Sequence, residues 1–183
     1  MRRSVIPVAC LIVSLALSEA MAHCTVAIPT TDEIVGYGLL DPSLSVERRR
    51  QLADKLLCSA LAGNTASQEL AGVLYLLGRA QRGNILPRDI SRARHLLTAA
   101  ANRGRRQAMH RLAELELGDG HAYEAAMWSR VEYQIHGPGR AFLEPLHRRA
   151  EAGVSSDAQL DTEVTLKVLA VREAMRQDAS PPP

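Results

Sequence analysis

Imidazole beside carboxylate is the pairing most used for proton transfer and for holding metals, and this 183-residue chain offers His95, His110, His121, His136 and His147 with acidic residues nearby. Their spacing supports neither chemistry. The sequence contains no His-Glu-x-x-His zinc helix, no nucleophile elbow, no phosphate-binding Gly-rich loop and no paired metal-ligand spacing. The chain is therefore read as having no catalytic residues, no metal and no cofactor. His110 and Glu114 fall one helical turn apart with Arg111 beside them, so they share a face of one helix. A lone His-Glu pair of this kind reads as a surface contact, which makes His110, Arg111 and Glu114 candidate partner-binding residues.

Thiol chemistry depends on compartment, and the N-terminus reads as an export signal. Arg2 and Arg3 precede an apolar run from Val5 to Leu17, and Ala20-Met21-Ala22 is a small-x-small cleavage site. Residues 1–22 are thus expected to be removed, taking Cys10 with them. In an oxidising compartment the remaining Cys24 and Cys58 are expected to pair. Two alternatives stand beside that reading. A lipoprotein would need a small residue before the modified cysteine, where His23 stands, and a copper or zinc site at His23 and Cys24 would lack further ligands. No later stretch is apolar enough to span a bilayer, so the exported chain is not expected to be integral to the membrane.

The full sequence carries 22 Lys and Arg against 20 Asp and Glu, a formal charge of +2. A near-neutral exported chain is a poor nucleic-acid binder. The basic clusters Arg48-Arg49-Arg50, Arg103 with Arg105 and Arg106, and Arg148-Arg149 read as solvated helix faces, the alternative being an anionic partner, with an acidic segment docked at Arg103, Arg105 and Arg106.

Helices must position these groups. After an irregular segment over 23–44, in which Thr30 and Glu33 form a capping-box pair for one short helix ended by Pro42, the chain reads as successive helices. They are expected over Val46 to Ala62, Ala66 to Gln81, Ile90 to Arg103, Arg106 to Leu117 and Ala122 to Ile135, with Gly, Pro and Asn signals between them. A shorter helix follows over Glu144 to Ala152, and a last one over Asp157 to Gln177 carries Leu160, Val164, Val168, Val171 and Met175 on one stripe. That stripe reads as a cover for one end of the domain, or else as a seat for a partner helix. Residues 178–183, ending in three prolines, read as a disordered tail. No stretch alternates as a strand would, so the fold class is all-α.

The chain also repeats itself. Asp89 is followed by Ala93, Leu96, Leu97, Ala100, Ala101, Gly104, Ala108 and Leu112. The register recurs 41 residues earlier as Leu52, Leu56, Ser59, Ala60, Gly63 and Ser67, and Ala125 with Trp128 repeats Ala93 with Leu96 32 residues later. Small residues where helices touch let their axes approach closely, so stacking rather than bulk makes such a core.

This pattern resembles the Sel1-like repeat, a tetratricopeptide relative whose helical hairpins stack into an α/α superhelix. The resemblance covers residues 46 to 137. Gly83, Leu86, Pro87 and Asp89 are similar to the family's Gly-rich inter-helix loop, and Trp128 stands where the family has an aromatic residue. Leu96 replaces that aromatic in the best unit, Ala113 replaces a glycine and Glu116 a tyrosine. In the preceding hairpin, Gly72 with Tyr75 and Leu77-Gly78 compete as the family's Leu-Gly element.

The resemblance implies a short solenoid over 45–153 with capping helices, the 154–177 helix capping it or meeting a partner. It further implies a non-enzymatic adaptor or scaffold that binds another protein in the bacterial envelope, periplasmic or secreted. Alternatives are a structural subunit of an envelope machine attached through the C-terminal helix, or a cell-wall ligand-binding or hydrolytic protein. Cysteine-rich relatives linked to β-lactam binding carry a cysteine pair in each repeat, whereas this repeat region has only Cys58.

Overall fold

The computed structural model describes residue 24 and residues 29–137, 144–154 and 158–179. The expected export signal and the final SPPP lie outside the described residues. Within them the chain is all-helical: α1 (Thr31–Gly36), α2 (Val46–Leu61), α3 (Thr65–Leu77), α4 (Ile90–Asn102), α5 (Arg106–Gly118), α6 (Ala122–His136), α7 (Glu144–Ala152) and α8 (Ala158–Ala179). From α1 to α7 each helix packs against its predecessor, and α8 returns across α6 and α4.

Why the helices stop where they do is visible in their caps. After α4, Gly104 takes φ +86; its N–H donates to the Ala101 carbonyl (2.9 Å) and the Arg105 N–H to that of Ala100 (3.1 Å). This is a Schellman closure, for which glycine is the cheapest residue at the left-handed position. The same paired bonds recur at Gly63-Asn64 onto Ala60 and Ser59, and at Gly120-His121 onto Leu117 and Glu116. Three of the helix junctions, α2–α3, α4–α5 and α5–α6, therefore share one geometry.

Helix α3 ends earlier than the periodicity predicts, at Leu77, with only a 3-10 turn over Gly78–Ala80 beyond it. The following loop supplies the reason by satisfying the last carbonyls of α3. Asn84 Nδ2 donates to the Leu74 carbonyl (2.7 Å) and to that of Gly78 (2.8 Å), the Asp89 N–H reaches Tyr75 (2.9 Å), and Arg88 Nε reaches Leu76. A loop that takes these orphan acceptors competes directly with another helical turn. Gly83 belongs to this loop at φ +81, where a Cβ would overlap the Leu40 carbonyl oxygen.

Helix α1 has the expected capping box: the Glu33 N–H donates to Thr30 Oγ1 (3.3 Å) and the Thr30 N–H to Glu33 Oε2 (2.7 Å). It ends at Gly36, well before Pro42, which lies in a turn. At the C-terminal end, Asp178 and Ala179 are helical rather than part of a tail, and Asp178 accepts from Arg103 Nη1 (2.8 Å).

Two apolar clusters hold the array together. One gathers Ile34, Leu52, Leu56, Leu74, Tyr75 and Ala93; the other runs from Leu97 through Met109, Leu112, Trp128 and Val131 to Leu160, Val164, Val168 and Val171 of α8. Ser59 and Ser67 occupy the register of Ala100 and Ala108, and their hydroxyls are buried. The Ser67 hydroxyl donates to Ser59 Oγ (2.8 Å) and lies 2.7 Å from that of Thr31 on α1, so α1 closes a polar seam the next hairpin lacks. Cys24 and Cys58 are joined in a disulfide, with Cα atoms 5.5 Å apart. No described helix is long and apolar enough to cross a membrane.

Candidate functional site

Helix α5 presents two chemically different faces. Ala108, Met109, Leu112, Ala113 and Leu115 are buried in the core, and on α3 the buried Glu69 accepts the Ala108 N–H with Oε1 (3.1 Å), satisfying an orphan donor of the first turn. Glu69 also holds Arg105, through Nε at 2.9 Å and through Nη2. With its N-terminus pinned in this way, α5 turns Gln107, His110, Arg111 and Glu114 into an open cleft of about 820 Å³. Arg106 and Leu117 of α5, Glu132 of α6, and Pro145, Leu146 and Arg149 of α7 complete its lining.

Charges alternate along this cleft. Arg106 Nε lies 3.1 Å from Glu132 Oε1, and Glu132 Oε2 lies 3.4 Å from His110 Nδ1 without the alignment of a hydrogen bond. His110 Nε2 lies 3.5 Å from Glu114 Oε1, and Glu114 Oε2 accepts from Arg111 Nη1 at 2.7 Å. Five charges in the order plus, minus, plus, minus, plus therefore tie α5 to α6. Glu114 and Glu132 raise the His110 pKa to about 9 against partial burial, and His110 with Arg111 holds the Glu114 carboxyl at about 2.

His110, Arg111 and Glu114 thus lie side by side, but His110 is not the free contact residue of a solvated face. Its side chain is only 13% exposed and is flanked by carboxylates from two helices. Glu132 went unnoticed in the sequence, although a signal existed. Continuing the 32-residue register from Ala125 puts Glu132 where Ala100 and Ser59 stand in the earlier units, and a buried carboxylate at a small-residue position demands a cation.

The arginine trio is likewise not simply solvated. Arg103 meets Asp178 (2.8 Å), Arg105 meets Glu69 and Arg106 meets Glu132, so all three staple helices of this chain. Glu116 is buried between Arg94 Nε (2.8 Å) and His121 Nδ1 (2.8 Å). Glu116, Asp119 and His121 place one ligand atom each within 4.8 Å of one another. Arg94, which also holds Asp119 at 2.5 Å, already supplies the cation for this group.

His136 and His147 have different neighbours. His136 Nε2 lies 3.0 Å from the Gly104 carbonyl, and His147 stacks on Tyr133 with Nδ1 2.8 Å from Ser129 Oγ. Trp128 and Tyr75 are buried, each with a cation over its ring, Lys167 at 5.3 Å and Arg92 at 5.6 Å.

The His110 site sets a pH dependence. His110 binds its proton more tightly in the folded than in the unfolded chain, so the stability it contributes is complete below about pH 6.5 and is lost as pH rises toward about 9. The open cleft screens the charges, and roughly 1 to 2 kcal/mol is expected to disappear across that window. Chemical denaturation at several pH values checks this. His110→Gln is expected to flatten the slope relative to the parent; an unchanged slope would assign it to another group, such as His121, whose pKa is also raised, by its bond to Glu116.

Comparison with known proteins gives no match to a family model, to a curated protein or to a solved structure.

Proposed function

We propose that the chain is an exported, non-enzymatic helical-repeat adaptor of the Sel1-like, tetratricopeptide-related type, which binds another envelope protein through the cleft of α5, α6 and α7. The observation that carries this reading is the cleft itself. A charge ladder fixes its wall while Gln107, Arg149 and the apolar Leu117, Pro145 and Leu146 line the opening, the mixture of fixed polar groups and apolar surface that recognition sites use. Three shared hairpin junctions and the small residues of the repeat register support the solenoid. The Cys24–Cys58 disulfide fits an oxidising compartment.

Turnover is the weaker reading. A general base works best with a pKa near the operating pH, whereas His110, at about 9, remains protonated there. The test is site-specific photocrosslinking in intact cells. A crosslinker at Gln107 or Glu114 is expected to capture one discrete partner, and one at the exposed Arg50 is not; equal capture from all three positions would sink the adaptor reading.

A specific observation favours one alternative, a subunit attached through its C-terminal helix. Leu166 and Leu169 of α8 are 62% and 55% exposed, while Leu160, Val164, Val168 and Val171 are buried. Deleting α8 would strip cover from the core, so Leu166→Ser with Leu169→Ser is the cleaner test. Lost assembly with unchanged folding would favour this alternative.

A further inference from the structure

We propose that the cleft takes an acidic peptide segment, its carboxylates meeting Arg149 and Arg111 and an adjacent apolar side chain resting on Leu117 and Leu146. This rests on the adaptor reading and adds the chemistry of the partner.

The first ground is an imbalance of charge. Arg106, His110, Arg111 and Arg149 line the cleft with Glu114 and Glu132, so at neutral pH it carries two more positive charges than negative. Both carboxylates are already committed, each touching two cations. A basic segment could dock only by displacing Arg106 or Arg111 from them. Arg149, exposed near the end of α7, has no carboxylate partner among the described residues.

The second ground is an excess of donors. Arg111 keeps Nη1 on Glu114, while its buried Nε makes no hydrogen bond. A guanidinium has five donors and no acceptor, so the exposed fork of Arg149 and the Nη groups of Arg111, rather than its buried Nε, are what an oxygen from outside can reach. A carboxylate is the group whose geometry matches the open edge of a guanidinium, and the Gln107 amide can serve a peptide backbone beside it.

The third ground decides between a peptide and a long polyanion. Beyond the cleft, Arg94, Arg103, Arg105 and Arg130 are all engaged by carboxylates of this chain. No cationic track leads away from the cleft along these residues, and Arg148, exposed beside Arg149, does not line it, so the fitting ligand carries its charge locally. An open space of about 820 Å³ lined in part by the apolar Leu117, Pro145 and Leu146 also exceeds what a small dicarboxylate needs.

The test uses the full mature chain and a fluorescent peptide with the core Asp-Glu-Leu-Asp-Glu, beside versions with Gln or Lys at the acidic positions. The acidic peptide is expected to bind at low salt, to weaken as salt rises, and to shift the Arg111 Nε–Hε resonance. Arg149→Glu is expected to weaken it by about tenfold or more and Arg149→Gln by less, with the circular dichroism of both unchanged. Equal binding of the Gln or Lys peptide overturns the inference, and so does equal competition by free glutarate or by pyrophosphate. If Gln107 crosslinks a partner while the acidic peptide fails, the acidic-ligand inference falls and the adaptor reading stands; if Gln107 captures nothing, both fall.

Discussion

Leu97→Ala is expected to cost about 3 kcal/mol, and Leu96→Ala, one residue away, only about 1 kcal/mol. Leu97 is completely buried where α3 meets α4. On α3 it faces Gly72, where a Cβ would come within 2.8 Å of Leu97 Cγ, so the helix backbones already approach as closely as these side chains allow. The surrounding Ala100, Ala101, Ala108 and Ala113 have no rotamers with which to fill a void. The cavity term therefore persists, and the loss falls within the usual range of about 2 to 5 kcal/mol rather than at the transfer energy alone. Leu96 is half-buried and its removal opens space to solvent. Urea unfolding with an unchanged m-value measures both; equal costs would show that Leu97 is not the knob between α3 and α4. Gly72→Ala probes the same contact from the other side and should cost about 1 to 3 kcal/mol through overpacking.

The pair also shows what could be read in advance. Leu52, Leu56, Ser59 and Ala60 and their counterparts Ala93, Leu97, Ala100 and Ala101 are all buried, while the intervening Lys55 and Leu96 are not. Burial repeats with the register because one helix face meets its neighbour at the same spacing each time. Helix limits were legible wherever a local signal ended the helix, as at Gly63 and Gly104. They were not legible at Leu77, where Asn84, Arg88 and Asp89 settle the matter from outside the helix.

The candidate site was half legible for the same reason. His110 and Glu114 are neighbours through helical periodicity, which the sequence displays. Glu132 is marked in the sequence only by standing at a small-residue position of the register, and Arg149 reaches the cleft through the way α7 crosses α5, which no local pattern encodes. The same holds for Arg103, Arg105 and Arg106. Each looks solvated on its own helix and finds its carboxylate from 36 to 75 residues away or, for Arg106, across the α5–α6 hairpin.

Replacing Cys24 and Cys58 by serine is expected to remove up to about 4 kcal/mol, since closing a loop of this length restricts the unfolded chain by roughly that amount. The bond spans 34 residues and encloses α1, whose Ile34 and Thr31 are buried against the first hairpin. Without the bond, α1 is only six residues long and is held by the capping box, Ile34 and the hydroxyl seam of Thr31, Ser59 and Ser67. Each hydroxyl bond contributes about 1 kcal/mol, less than the entropy regained by a freed segment. The loss should therefore be local first. Hydrogen exchange is expected to quicken over α1 and the start of α3, while α5 and α6, whose core is the other apolar cluster, retain their protection, as stacked hairpins coupled only to neighbours allow. A uniform loss of protection from α1 to α8 would show instead that the array unfolds as one cooperative unit, and the cleft would then depend on a disulfide at the far end of the chain.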